Sequence, residues 1–186
     1  MRGLLEVLRP KRQMPVAPAC TRALDVLVRA EARAEREALY RELRDSGLLD
    51  EAVTPEQFGA ELTASEIALV RRTLEQMMSV PFSGANPVQA CLDEAAAKTG
   101  GDAGAKLTEL YRMVFEHAYE SHYWCLSQWV TLGLPDERLL ARQLYIRLTT
   151  RGPSTDKARQ FMTRLEAFFL GVRDRLTTLF AGQSLV

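Results

Sequence analysis

The chain of 186 residues carries 24 basic and 24 acidic residues, so its formal net charge at neutral pH is zero. A neutral chain lacks the overall basic character of general nucleic-acid binders, although a local basic patch remains compatible with it. Hydrophobic residues make up 47% of the sequence and charged residues 26%, which excludes a wholly disordered chain. At this length we expect one domain with a single buried core.

The first 18 residues are predicted to form a basic arm ahead of a helical domain that spans residues 19–182. The basic residues of this arm are Arg2, Arg9, Lys11 and Arg12. The prolines Pro10, Pro15 and Pro18 favour a semi-rigid, extended connector. An arm of this composition suits contact with a protein partner or a membrane surface, and it also resembles an organelle transit segment.

The segment from Cys20 to Ser46 is predicted to be one long helix that ends at Gly47. Its apolar stripe is thin, because small alanines occupy one face while arginine and glutamate alternate elsewhere. Such a helix is either well solvated or packed through its alanines against another helix or subunit. We expect contact with another protein through this helix near Arg29 to Arg44, through the basic arm, or through both, and the candidate residues of the helix are Ala30, Ala34 and Arg41.

The next helix is predicted to begin at Thr54, where Pro55 and Gln57 complete a typical N-terminal pattern. Thr63 and Glu66 repeat that pattern and predict a second start for the apolar run that follows. Residues 81–87 are predicted to form a loop, and a short helix is expected from Val88 before the glycines at 100–104.

The helix expected at residues 105–132 is the richest in aromatic residues. One of its faces combines apolar residues with a histidine and a cysteine: Leu107, Tyr111, Val114, Ala118, His122, Cys125, Trp129 and Leu132. Tyr119, Tyr123 and Trp124 lie on its other faces, so the helix is apolar around most of its circumference. Such helices are usually central, and we place the core of the fold here.

Two further helices are predicted towards the C-terminus. Leu140, Leu144 and Leu148 line one side of the first, and Arg147 beside them should either reach solvent or meet an acid. Ser154 is expected to cap the last helix, and Gly182 to end it. The apolar face of the last helix is Phe161, Leu165, Phe168, Phe169, Val172, Leu176, Leu179 and Phe180.

No segment alternates with the period of a strand, so the sequence predicts an all-α fold, an irregular bundle of about six helices. Charge along this bundle is uneven. Residues 48–70 contain five acids and no base, whereas residues 135–180 carry a net charge of +4. We expect these two segments to face each other inside the fold. Two surfaces of opposite charge are the alternative.

A ligand site is conceivable beside four side chains of the aromatic helix, namely Tyr111, His122, Cys125 and Trp129. His122 and Cys125 have the i,i+3 spacing of two soft metal ligands, and an aromatic surround also suits haem. Their alternative interpretation is a core histidine beside a buried thiol. The sequence lacks the Glu-x-x-His pairs of di-iron sites and the Gly-Lys-Ser/Thr ending of a phosphate loop, so we predict no bound cofactor.

No complete catalytic set is visible, and we therefore expect a non-enzymatic helical interaction protein, such as an adaptor, regulator or assembly subunit. It would bind a protein partner or itself. The alternative is a helical protein or enzyme that binds haem, metal or another small molecule beside His122. A nucleic-acid role is less favoured because it depends on five arginines in a neutral chain: Arg138, Arg142, Arg151, Arg159 and Arg173.

Location is suggested by the cysteines and by hydropathy. Three scattered cysteines without a CxxC pair indicate a reducing compartment, and we expect the cytoplasm. No run of 18 apolar residues is present, so no transmembrane segment is predicted.

Overall fold

The structure is a computed structural model that describes residues 12–78, 119–128, 134–149 and 155–186, together with positions 88 and 90. Most of these residues are helical, which confirms the all-α prediction. The helices are α1 (Val16–Val28), α2 (Ala30–Asp45), α3 (Pro55–Gln76), α4 (Tyr119–Gln128), α5 (Asp136–Leu148) and α6 (Asp156–Leu179). Two short strands, β1 (Arg12–Met14) and β2 (Gln183–Leu185), accompany them.

The two strands form a small parallel sheet that the sequence did not predict. Arg12 pairs with Gln183 and Met14 with Leu185, so residues near the two ends of the chain lie side by side. A three-residue strand is too short to show a period of two, which is why its signal was missed. Helix α1 begins directly afterwards at Val16, so residues 16–18 are helical and the extended connector predicted there was wrong.

The predicted long helix is two helices, separated at Arg29, whose backbone is extended (φ −60°, ψ 151°). The buried residues of α1, such as Ala19 and Ala23, and those of α2, such as Leu39 and Leu43, would lie on nearly opposite faces of one continuous helix. The break therefore lets both halves turn their apolar side to the core. The predicted helix end at Gly47 is confirmed, with a φ of +61°.

Helix α3 is a single helix, so the second start predicted at Thr63 was wrong. Its true start is at Thr54, whose hydroxyl accepts a hydrogen bond from the backbone N–H of Gln57 at 3.2 Å. Thr63 instead donates its hydroxyl to the carbonyl of Gly59 within the helix (2.8 Å). A threonine three residues before a glutamate occurs both at helix starts and inside helices, because a threonine hydroxyl inside a helix can donate to a carbonyl of the preceding turn.

Among the described helices, α3 is the central one, because it packs against each of the other five. Every residue from Leu62 to Val70 is buried, so this part of α3 is enclosed around its whole circumference. The aromatic helix predicted at 105–132 is described only over α4, and its central position stays a prediction. The predicted loop at 81–87 and the glycines at 100–104 lie outside the described residues, whereas Val88 is helical and buried.

Helices α5 and α6 pack against each other and against α3. The predicted apolar faces of both are confirmed, with Leu140, Leu144 and Leu148 of α5 buried. Thr155, not Ser154, caps α6, because its hydroxyl accepts from the N–H of Ala158 at 3.1 Å. No helix in the described part of the chain combines the length and apolar character needed to cross a membrane.

Candidate functional site

An open groove of about 700 Å³ lies between α2 and the first half of α3. Helix α2 lines it with Arg33, Arg36, Glu37, Tyr40 and Arg41. Helix α3 lines it with Pro55, Glu56, Phe58, Gly59, Ala60 and Thr63. A volume of this size is typical of binding sites, and most of this wall is apolar, with a few charged side chains.

The middle of the groove is aromatic. The rings of Tyr40 and Phe58 have their centres 5.5 Å apart and are tilted by 56°. The Tyr40 hydroxyl donates to the carbonyl of Val53 at 3.1 Å, which holds that ring in place. Gly59 lies beside them in α3, and a Cβ added there would meet nothing within 4 Å. The groove therefore has an aromatic pair at its centre and open space beside it at Gly59.

Arg36, which lines the groove, belongs to an ion pair whose acid, Glu66, is buried behind the groove wall. Arg36 Nε donates to Glu66 Oε2 at 2.7 Å, and the same guanidinium also donates to the carbonyl of Leu27 at the end of α1. Glu66 is fully buried in the middle of α3. Because Arg36 faces Glu66 while Tyr40 faces Phe58, α2 and α3 run antiparallel along the groove.

The Glu66 carboxylate is poorly compensated. Burial raises its pKa to about 7, against the lowering effect of Arg36 and the more distant Arg175. Its second oxygen, Oε1, has no hydrogen-bond partner within the described structure. Glu35 adds a further small upward effect on the pKa. Glu66 is thus the described acidic group most ready to take up a proton near neutral pH.

A second buried cluster joins α3, α4 and α5. Glu61 accepts from both Nε (2.7 Å) and Nη2 (2.6 Å) of Arg147, one to each oxygen. With its proton on Nε2, His122 donates to Glu61 Oε2 at 3.0 Å. The prediction that Arg147 would reach solvent or meet an acid is confirmed, and this contact joins the acidic segment 48–70 to the basic segment 135–180.

Burial and hydrogen bonding act in opposite directions on this cluster. Burial alone would raise the pKa of Glu61, but the hydrogen bonds from His122 and Arg147 outweigh it and lower that pKa. Burial lowers the pKa of His122 and favours its neutral form. In both cases the unfolded chain binds protons more readily than the folded chain, so this cluster loses stabilising free energy as the pH falls.

The four residues of the predicted ligand site are only partly described. His122 is fully buried, and its Nδ1 has no hydrogen-bond partner in the described structure. Cys125 is also buried, and burial raises the pKa of its thiol to about 11. Tyr111 and Trp129 lie outside the described residues. Within the described ranges, no three His, Cys, Asp or Glu side chains are grouped so that they could hold a metal ion.

The predicted contact residues lie in different places. Arg12 is exposed in β1, while Ala30, Ala34 and Arg41 are exposed on α2, and Arg41 lines the groove. The other three predicted residues lie outside the described ranges: Arg2, Arg9 and Lys11.

The arginines behind the nucleic-acid hypothesis include two with acidic partners. Arg159 pairs with Asp156 in the same helix. Arg173 reaches Asp136 at 2.7 Å and Glu137 at 2.6 Å. Such neutralised arginines contribute little to an electrostatic footprint for phosphate. Arg151 lies outside the described residues.

Sequence reasoning missed the groove itself. Tyr40 and Phe58 are separate apolar residues in the chain, and their contact depends on the tight connection between α2 and α3. A signal for Glu66 was present, since it is an acid directly before an apolar run (Ile67 to Val70). A buried carboxylate needs an opposite charge, and the arginines of the predicted polar helix could supply one.

Comparisons with known protein families, with curated proteins and with solved structures find no significant match to this chain. Its function is therefore inferred from the groove and the buried clusters themselves.

Proposed function

We propose that this chain is a non-enzymatic helical interaction protein that binds another protein chain along the groove between α2 and α3. The observation that carries the proposal is the groove itself, an open and mainly apolar surface on the helix that the sequence marks as the candidate for contact. Apolar grooves between helices commonly accept a segment of a partner, often an amphipathic helix.

The composition of the groove supports a protein partner. Interface cores are enriched in aromatic residues and arginine, and the groove offers the partly exposed Tyr40, which packs on the buried Phe58, together with three arginines. Arg33 and Arg41 have no ion-pair partner in the described part of the chain and are available to bind one. The side chains that would anchor a partner are thus already positioned before it arrives.

Site-specific photo-crosslinking tests the proposal. A photoreactive phenylalanine replaces Ala60 on the groove wall, and the full chain is irradiated in a lysate of the cells that produce it. We expect a protein adduct, and mass spectrometry of the joined peptides identifies the partner segment.

Two tryptophan variants serve as a matched pair in this experiment. Gly59→Trp fills the groove and should abolish the adduct. Gly171→Trp places the same side chain at another helical glycine, in α6, where a Cβ also meets nothing within 4 Å, and should leave the adduct intact. If no adduct forms, or if both variants behave alike, the proposal is wrong.

A second candidate function is a ligand site beside His122, and the buried, unpartnered Nδ1 of that ring favours it. An unpaired buried polar atom is costly unless a ligand or water contacts it. Absorbance above the aromatic band, or metal found by elemental analysis of the native protein, would support the haem or metal form of this candidate. A colourless, metal-free preparation would contradict both of those forms.

We also propose a cytoplasmic location. Cys20 and Cys125 are buried free thiols, as expected for a protein of a reducing compartment. Fractionation of the producing cells, with detection of the native chain, tests this proposal.

A further inference from the structure

A row of alternating charges runs along the exposed side of α2. Arg33, Glu37, Arg41 and Asp45 follow one another at intervals of four residues, and all four are exposed. Residues at this spacing are neighbours on a helix surface, so the row forms one continuous ridge. Read from the N-terminus, its charges are positive, negative, positive and negative.

None of these four side chains has an ion-pair partner among the described residues, whereas charges on the opposite flank of α2 do. Glu35 pairs with Arg175 of α6 at 2.8 Å, and Glu42 pairs with Arg164 of α6 at 3.1 Å. Charged side chains on one flank of α2 therefore pair within the chain, whereas those of the charge row can pair with another molecule.

The charge row is complementary to itself when it is reversed. If a second α2 lies antiparallel to the first, Arg33 faces Asp45 of the second copy and Glu37 faces Arg41 of the second copy. Two-fold symmetry repeats both contacts, so four opposite-charge pairs form. A parallel arrangement in register would instead bring like charges together, and that costs free energy.

A second row on the same face consists of the exposed alanines Ala30, Ala34 and Ala38. Small side chains allow two helix backbones to approach closely, since they leave little volume between them. The neighbouring rows thus combine room for close packing with charges that fix the direction of pairing.

We propose that the partner bound by this surface is a second copy of the chain, paired through α2 in antiparallel orientation. The inference rests on the proposed function, because Arg33, Glu37 and Arg41 also line the groove. The second α2 would lie along the mouth of the groove, opposite the rings of Tyr40 and Phe58.

Sedimentation velocity of the full chain over a range of concentrations tests the proposal. The wild-type chain should pass from monomer to dimer in the micromolar range. Arg33→Asp places two acids opposite each other, and Asp45→Arg places two bases opposite each other. Each single variant should raise the dissociation constant by about tenfold or more.

The double variant Arg33→Asp/Asp45→Arg is the decisive one. Within one helix it keeps both new repulsions, an acid at position 33 beside Glu37 and a base at position 45 beside Arg41. If the single variants acted only by destabilising α2, the double variant would therefore dimerise more weakly than either of them. Between antiparallel copies it restores both opposite-charge pairs, and we expect a dissociation constant near that of the wild type. Arg138→Asp, an exposed change on α5, should have no effect on the dissociation constant.

Three results would overturn the inference: a monomer throughout the concentration range, single variants that dimerise like the wild type, or a double variant weaker than both singles. These failures are distinguishable from failure of the proposed function. A crosslink from position 60 to a different protein would sustain the interaction role and reject the second copy as its partner.

Discussion

At the scale of single residues, two acids of α3, Glu61 and Glu66, have opposite pKa shifts because their surroundings differ. Glu61 has both oxygens held by Arg147 and one shared with His122, and its pKa is lowered. Glu66 has one oxygen held by Arg36 and the other without a described partner, and its pKa is raised. Glu66 is also the more deeply buried of the two, with a side chain 0% exposed against 13% for Glu61, so deeper burial and fewer accepted hydrogen bonds both raise its pKa.

Glu66 should make the stability of the protein decrease as the pH rises towards neutrality. Between pH 4.5 and about 7 the folded chain holds a proton on Glu66 that the unfolded chain has released. Relative to Glu66→Gln, the wild type should lose up to about 3 kcal/mol of unfolding free energy across this window. Urea unfolding of both chains at pH 5 and pH 8 measures the difference.

Glu42→Gln is the control for the Glu66 experiment, because it makes the same chemical change at an exposed position of α2, where Glu42 pairs with Arg164. If the unfolding free energy of the wild type relative to that of Glu66→Gln stays constant or rises with pH, folding does not raise the pKa of Glu66 and the prediction is wrong.

Arg147 should stabilise the fold more than a surface arginine does. Its side chain is 27% exposed and its partner Glu61 13%, so the pair is only partly screened by water. Arg147→Met leaves Glu61 with His122 alone, and we expect a loss of about 2 kcal/mol of unfolding free energy. Arg164→Met breaks an exposed pair and should cost less than about 1 kcal/mol. Equal losses in urea titrations would contradict this ranking.

At the scale of the elements, the break between α1 and α2 is the largest departure from the sequence prediction. Neither glycine nor proline marks it, and local preference alone favours one long helix through Arg29. The freed carbonyl of Leu27 receives the Arg36 guanidinium, so the same arginine that pairs with Glu66 also closes the end of α1. Tertiary packing has overridden local preference here.

Proline substitutions distinguish the broken helix from a continuous one. Ala30 is the first residue of α2 and follows an extended Arg29, so Ala30→Pro should change the unfolding free energy by less than about 1 kcal/mol. Ala34→Pro, an exposed site within the same helix, should cost about 3 kcal/mol or more. Equal, large losses in thermal or urea unfolding would indicate one continuous helix through residue 29.

At the scale of the whole molecule, the sequence predicted the features that depend on the local spacing of residues. The apolar faces of α5 and α6, the start at Thr54 and the stop at Gly47 depend on neighbours within a few turns. The pairing of β1 with β2 joins opposite ends of the chain, and the groove requires α2 to fold back on α3. Contacts between distant segments leave no periodic signal, so the candidate site could not be located before the fold was known.

At the scale of the whole molecule, α2 is the surface on which we propose that a second copy of the chain binds. A distance measured between the two copies tests this proposal most directly. Spin labels are placed on Ala30→Cys or on Ala38→Cys, with Cys91→Ser in both chains to keep labelling specific. Antiparallel pairing centred on residue 39 separates the two labels at position 30 by 18 residue rises, about 27 Å along the helix. At position 38 the labels lie close together, separated mainly by the distance between the helix axes of about 8–10 Å. Pulsed electron–electron double resonance should therefore give a long distance between labels at position 30 and a short one at position 38. Equal distances at both positions, or no coupling between labels at either, would contradict antiparallel pairing through α2.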